Sequence, residues 1–490
     1  MVENFDHWLG NQPILKILRG KNSKSGPKLN LTVQFEKTVF STHSLNDDDD
    51  EADVEVQSFL EAAAVVAPIT SSSLRNKGKK KHLLSTVVLP CCLCARISSS
   101  SSHASFSSFN VVDYGAHGNS QIDDSKAFLK AWKSVCDASE NAATLVIPKG
   151  KTFMLQPISF QGPCKPTKIN IKLEGTVIAP KKLDGWKWSS DDNEKDAWIT
   201  FSNIRGLVIN GGGKFDGQGA SWWGCKKCNR PTALRFHGCG NLDLNSLNHI
   251  NSPRSHISIN QCNHSKISNL RISAPKESPN TDGIDISASS NILITGSTIT
   301  TGDDCIAING GSSFINVSSI HCGPGHGISI GSLGKNGAYE TAQEIRVQNC
   351  NFSRTTNGAR IKTWKGGSGY AKNILFDNII MDAVDIPVII DQQYKTDDIK
   401  VKKVKDDKAV KVSDVTFVKV RGTSTSEDPV QLNCDAIGCT NINLEGIDIT
   451  STNGEKTRAS CKNVQGICSS CTPNVPCLSS QNNLTINKFL

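Results

Sequence analysis

From about residue 200 the chain loosely repeats itself. Segments such as "GLVINGGGKFDG", "HSKISNLRISAP", "NILITGSTITTG", "FINVSSIHCGPG", "EIRVQNCNFSRT", "NILFDNIIMDAV" and "DVTFVKVRGTS" share one pattern. Each places an apolar residue, a short polar step and a second apolar residue, and glycine or asparagine interrupts them. Matching positions at Ile267, Ile294, Ile315, Val347 and Phe376 are 27, 21, 32 and 29 residues apart. A unit this short cannot bury its own apolar face. Copies must stack to build one continuous core, which is the logic of a β-solenoid with a long polar groove outside. Propeller blades run to about 40–45 residues, longer than these units. A dinucleotide-type fold needs long amphipathic helices between its strands, and none separates these. One helical pattern stands earlier, in "DDSKAFLKAWKSVC", and reads as a cap on the first coil.

Composition agrees with short strands and turns: 37% of residues are hydrophobic and only 6% aromatic. The net charge of +8 is too mild to argue for nucleic acid but suits an acidic polymer such as a polysaccharide. Residues 1–105 hold 12 Lys/Arg against 11 Asp/Glu, so +7 of that charge belongs to the remainder. The start, "MVENFDHWLG", is acidic and polar, unlike a signal peptide. A signal-like stretch lies inside instead: Lys77, Lys79, Lys80 and Lys81, then an apolar run of 13 residues from Leu83 to Ala95, then serines at 98–102. That run is too short to span a bilayer but fits a signal core. No methionine lies between Met1 and Met154, so an internal start does not account for it. Two readings stand: an extra segment joined to a secreted protein, or a disordered extension with a local apolar patch. The expected organisation is a disordered extension over 1–80, a signal-like segment and Ser-rich linker over 81–108, and one solenoid domain over 109–490. Eighteen cysteines, with sequons at Asn263, Asn316, Asn351 and Asn483, point to an oxidising, secreted setting. The mature form is expected to have no membrane segment and to be a monomer.

Four motifs precede short apolar strands at about one coil's spacing. "ESPNTDGIDIS" carries Asn280 and Asp282, and "TTGDDCIAI" carries Asp303 and Asp304. "CGPGHGISIGS" carries His326, and "TTNGARIKTWKGGSGY" carries Arg360 and Lys362. Asp282 and Asp303 are 21 residues apart, Asp303 and His326 are 23, and His326 and Arg360 are 34. An isolated GDD is most often a turn. All four at coil spacing would line one groove with three carboxylates, a histidine and two cations. Such a set suits glycosidic cleavage: one carboxyl must carry a proton to the leaving oxygen while another, ionised, activates water or attacks carbon. Crowding pushes carboxyl pKa values apart and supplies both states at one pH. Arg360 and Lys362, two apart on a strand, point the same way and can hold a sugar carboxylate.

Together NTD (280–282), GDD (302–304), GHG (325–327) and RIK (360–362) resemble the motifs of the polygalacturonases, especially the plant members, over roughly Phe109 to Cys477. The resemblance implies a right-handed parallel β-helix and hydrolysis of α-1,4-linked galacturonic acid in pectin with inversion. It implies that Asp303 is the general acid, that Asp282 and Asp304 activate the water, and that His326 supports the acid and the sugar. Arg360 and Lys362 would bind the substrate carboxylate, with Asn280 and Tyr394 also at the substrate site. Spacing alone leaves open which of Asp303 and Asp304 is the acid. Lys395 stands where the family usually has a cysteine after the tyrosine, and the following segment, "DDIKVKKVKDDKAVKVSD", lacks its partner. One disulfide near the groove is therefore expected to be absent. A pectate lyase, a rhamnogalacturonan hydrolase and a catalytically silent pectin-binding wall protein are the competing expectations.

Among the cysteines, Cys305 with Cys322, Cys434 with Cys439 and Cys136 with Cys164 are candidate pairs. Cys461, Cys468, Cys471 and Cys477 would pair among themselves, and at least one cysteine after residue 108 stays free. Cys225 and Cys228 form a CxxC that reads as structural rather than as a zinc site. Trp222 and Trp223 read as filling for a coil. No carboxylate cluster has calcium-loop spacing, so no metal and no cofactor is expected.

Overall fold

A computed structural model describes residues 107–188, 196–225, 227–395 and 408–480. The first described strand, Ser107–Asn110, includes Phe109. The extension over 1–80, the signal-like run, the Asn483 sequon and residues 396–407 of the lysine-rich segment lie outside the described residues.

The described strands form a right-handed parallel β-helix. One wall is an eleven-stranded parallel sheet that receives one strand from each coil. Its strands are β1 (Ile158–Gln161), β2 (Ala197–Ser202), β3 (Thr232–His237), β4 (Ile257–Asn260), β5 (Ile284–Ser287) and β6 (Ile306–Ile308). They continue as β7 (Ile328–Leu333), β8 (Asn357–Trp364), β9 (Ile386–Tyr394), β10 (Val430–Asn433) and β11 (Ala459–Lys462). The remaining walls belong to a 23-stranded sheet.

Side chains alternate across each strand, so parallel pairing builds columns. Phe160, Phe201, Phe236, Ile259, Ile286, Ile308, Ile330, Ile361, Ile390 and Leu432 pair in sequence along the small sheet, and all are buried. Each such side chain removed from water contributes about 1.5–3 kcal/mol. On the large sheet the column runs Ile267, Ile294, Val317, Val347, Phe376, Phe417, Leu444. This corrects one position of the repeat. Ile294 pairs with Val317, whereas Ile315 pairs with Ile292 and Ile345. Both residues of "FINVSS" point inward, so alternation identifies the face without choosing the partner.

Asparagines turn the corners. Asn269, Asn291, Asn349, Asn378 and Asn441 hold φ between 53° and 56°. Asparagine enters this left-handed region more readily than other side chains with a Cβ. Some also bond between coils, as Asn378 Nδ2 does to Asn349 Oδ1 at 2.7 Å.

Helix α1 (Ser125–Asp137) caps the stack. Phe128, Ala131, Trp132 and Val135 are buried, while Lys126, Lys130 and Lys133 face water. Trp132 meets Phe160 edge-on at 5.2 Å, and Phe160, Phe201 and Phe236 stack behind it at 5.0 and 5.1 Å. Trp222 is buried against Trp186, as a coil filler should be.

Among the described residues six disulfides join Cys136–Cys164, Cys225–Cys228, Cys305–Cys322, Cys434–Cys439, Cys461–Cys477 and Cys468–Cys471. Cys239, Cys262 and Cys350 are free and buried. Among the described residues no helix is long and apolar enough to cross a membrane.

Phe417 stacks on Phe376 with centroids 5.2 Å apart. Replacing Phe417 by alanine should lower stability by about 3–5 kcal/mol, because the neighbouring coils cannot close over the void. Denaturant titration measures this, and an unchanged midpoint would contradict the packing.

Candidate active site

The loops entering β5, β6 and β7 deliver the first three motifs to one edge of the small sheet, and β8 delivers the fourth. Ile284, Ile306 and Ile328 pair side by side. Asp282, Asp304 and His326 each stand two residues ahead of these isoleucines and therefore occupy equivalent places on successive coils. Asp303 lies one residue further back. The glycine before it is dictated by space: a Cβ on Gly302 would meet the Ser278 carbonyl oxygen at 1.9 Å. Cys305 points into the core and bonds Cys322, tying this loop to the strand below.

The adjacent aspartates diverge into different environments. Asp303 Oδ1 accepts from His326 Nδ1 at 2.9 Å, and its Oδ2 accepts from Asn280 Nδ2 at 3.1 Å. The His326 backbone N–H donates to the Asp303 carbonyl at 2.8 Å. Asp304 turns inward and is 1% exposed. Its Oδ1 accepts from Arg360 at 2.6 Å and from Ser329 Oγ at 3.0 Å, and its Oδ2 accepts from Lys362 at 2.7 Å. Arg360 Nε also donates to Ser329 Oγ at 2.7 Å. Both cations of the RIK motif thus bond the second aspartate of GDD. Lys362 Nζ lies 5.2 Å from the centre of the Tyr394 ring, which meets Trp364 edge-on at 5.3 Å. Asn280 is exposed, and its Oδ1 accepts from Arg230 at 2.7 Å. These contacts link seven of the eight sequence-derived residues, Asn280, Asp303, Asp304, His326, Arg360, Lys362 and Tyr394, and Asp282 stands on the adjacent coil within reach of the charges of Asp303, Asp304 and Lys362.

Residues 136–472 match the family model described as Glycosyl hydrolases family 28. The chain belongs to this family. A "Probable polygalacturonase" of Arabidopsis thaliana is 50% identical over 380 residues, covering 76% of this chain and 82% of that protein. A polygalacturonase of Persea americana is 42% identical over 368 residues, covering 73% and 77%. Among solved structures, the endo-xylogalacturonan hydrolase from Aspergillus tubingensis aligns with a TM-score of 0.62 at 27% identity, covering 77% of this chain and 99% of that one. A polygalacturonase from Erwinia carotovora aligns at 0.58 and 25% identity, covering 70% and 93%. Family membership places the chain among glycoside hydrolases rather than lyases.

Electrostatics divides the carboxylates of this family 28 enzyme. Burial, together with the charges of Asp285, Asp303 and Asp304, holds the Asp282 carboxyl well above the usual range, and Lys362 opposes this only in part. Burial also pushes Asp303 upward, but the hydrogen bond and charge of His326, with Lys362 behind, outweigh it and bring Asp303 down to about 2. Asp303, Asp304 and His326 bring potential metal ligands within 4.8 Å of one another. Arg360 and Lys362 already supply positive charge to that cluster, so its chemistry does not call for an ion.

Sequence reasoning missed four residues. Ser329 and Asp285 share an outward column with Arg360, which alternation against the inward isoleucines Ile330 and Ile286 of their own strands could have revealed. His256 lies behind Asp282, with Nδ1 3.1 Å from its carbonyl, and burial lowers it to about 4, making it a neutral packing group. Arg230 comes from another coil, and no spacing rule identifies it.

Asp285 bonds Ser255 and is pushed up to about 6, chiefly by burial, with Asp304 and Asp303 adding to the shift. The unfolded chain loses this proton near pH ~3.9, whereas the folded chain keeps it up to about 6. Asp285 therefore removes stability as pH rises across that window. Asp285→Asn should flatten the fall in Tm between those pH values. A slope equal to wild type in thermal scans would count against the buried carboxyl.

Proposed function

We propose that this family 28 enzyme hydrolyses α-1,4-galacturonosidic bonds of pectin in the cell wall, with inversion at the anomeric carbon. The observation that carries the reading is the convergence of Asp282 and Asp303 from consecutive coils on a groove whose third carboxylate, Asp304, is paired with Arg360 and Lys362. Asp303 gives its proton to the leaving oxygen as the glycosidic C–O bond breaks. Water attacks the anomeric carbon from the opposite face, and its proton passes to Asp282. Asp304, which the resemblance assigns with Asp282 to the water, also holds the two cations. Arg360 and Lys362 keep further N–H donors for the carboxylate of a bound galacturonate, and Tyr394 stands beside Lys362 to border the sugar.

The two carboxyls share one proton. Before substrate binds we place it on Asp282, which burial and the neighbouring carboxylates hold well above the usual range, while the hydrogen bond and charge of His326 keep Asp303 low. A galacturonate carboxylate arriving beside Asp303 adds a like charge and raises that group. The proton then moves to Asp303, leaving Asp282 ionised for the water. Arg360 with Lys362 favours galacturonate over a neutral sugar at the leaving-group side.

Incubation of the protein with polygalacturonic acid and a chelator should release reducing ends without unsaturated product. A well-folded sample that releases neither would favour a silent pectin-binding protein. Asp303→Asn should cut kcat by about 10²–10⁴-fold with a native circular dichroism spectrum; a near-normal rate would defeat the acid assignment. Lys362→Ala should raise KM for polygalacturonate far more than for a fully methyl-esterified chain, whereas equal effects would mean that Lys362 does not read the carboxylate.

A further inference from the structure

The CxxC motif has no place in the chemistry above, yet its loop touches the site. Cys225 and Cys228 close a disulfide, and Arg230 follows two residues later, between Asn229 and Pro231, just before β3. From there the side chain crosses two coils, roughly 10 Å at ~4.8 Å per coil. Arg230 Nη1 donates to the Pro279 carbonyl at 2.7 Å, and Nη2 donates to Asn280 Oδ1 at 2.7 Å. The second bond fixes which way the Asn280 amide faces. With Oδ1 turned to the guanidinium, Nδ2 is left to donate to Asp303 Oδ2 at 3.1 Å. Asn280 also sits at φ 55°, and the bond to the neighbouring carbonyl braces the backbone that holds it there.

We infer that Arg230, presented by the disulfide-closed loop, is a positioning residue that orients Asn280 and through it the carboxyl of Asp303. The inference rests on Asp303 being the acid of the proposed hydrolysis. The guanidinium fork makes two divergent bonds from one rigid plane, which a lysine ammonium cannot reproduce with the same geometry. The short disulfide loop and Pro231 restrict the backbone from which this long side chain starts. Asn280 then serves the acid from one side while His326 serves it from the other.

The test compares full-length wild type with Arg230→Ala, Arg230→Lys and Cys225→Ser/Cys228→Ser. Arg230→Ala should lower kcat on polygalacturonate about tenfold, the scale of one lost hydrogen bond to a charged group. KM should change little, and the limb on which activity falls with rising pH should move to higher pH, since Asp303 loses a donor to its ionised form. Arg230→Lys should recover part of the rate, and the double serine variant should lose less than Arg230→Ala. A raised KM with an unmoved pH profile would make Arg230 a substrate contact and overturn the inference. A second readout does not depend on the reaction. Titration of 13C-carboxyl-labelled aspartates, with Asp303→Asn assigning the signal, should show Asp303 protonating at higher pH in Arg230→Ala. An unmoved Asp303 signal overturns the inference even if the enzyme is active. A shifted signal in a protein that does not cleave polygalacturonate supports the positioning and defeats the functional reading instead.

Discussion

The parallel register between coils is the constraint on which the rest of the molecule depends. Along the small sheet the column from Phe160 to Leu432 faces inward without interruption. A slip of one residue at any coil would turn that coil's isoleucine to water and its polar neighbour into the core. The outward column therefore inherits its order from the inward one. Asp285, Ala307, Ser329 and Arg360 stand in line because Ile286, Ile308, Ile330 and Ile361 do. The site is assembled by core packing, without contacts of its own needing to hold four coils together.

That register concentrates Asp282, Asp285, Asp303 and Asp304 in one place, which is unfavourable unless charge is returned to them. Asp304 shows how. It is almost fully buried, and three donors from β7 and β8 meet its two oxygens. Removing one partner from such a buried pair costs about 3–5 kcal/mol, so the clamp is bound up with stability as well as chemistry. Asp303 keeps more contact with solvent and takes a histidine and an amide instead. Burial and the charges of Asp285, Asp303 and Asp304 hold the Asp282 carboxyl well above the usual range. Three aspartates in two successive loops thus acquire three different characters from what the neighbouring coils place opposite them.

The ends of the stack need different treatment from its middle. A terminal coil exposes a strand edge ready to pair with another chain. At the first coils α1 lays Phe128 and Trp132 over the core, and Cys136 at its end bonds Cys164. At the last coils Cys434–Cys439, Cys461–Cys477 and Cys468–Cys471 close short loops where fewer apolar neighbours remain. In the central coils Cys225–Cys228 and Cys305–Cys322 close two further loops, while Cys239, Cys262 and Cys350 stay free within the packed core.

Much of this was legible in the chain itself. The repeat fixes a solenoid because units of that length have no other way to bury an apolar face. The order NTD, GDD, GHG, RIK brings its residues together because each motif precedes or lies on a strand, and strands of successive coils must align. The cysteine pairs near in sequence and the capping helix follow from equally local rules. What stayed hidden is what depends on distances between coils. Alternation marked Ile315 and Val317 as inward but could not say which meets Ile294, since both positions have the same parity. It could not show that Arg360 and Lys362 turn to Asp304, that burial lifts the Asp282 carboxyl while His326 lowers Asp303, or that Arg230 reaches Asn280 across 50 residues. By itself, then, the sequence determined the stacking, the family and the motif residues that meet at one edge of the small sheet, through periodicity and local spacing. Only the tertiary structure decided which carboxylate meets which donor, because pKa and side-chain orientation depend on burial and on neighbours that the chain brings together from separate coils.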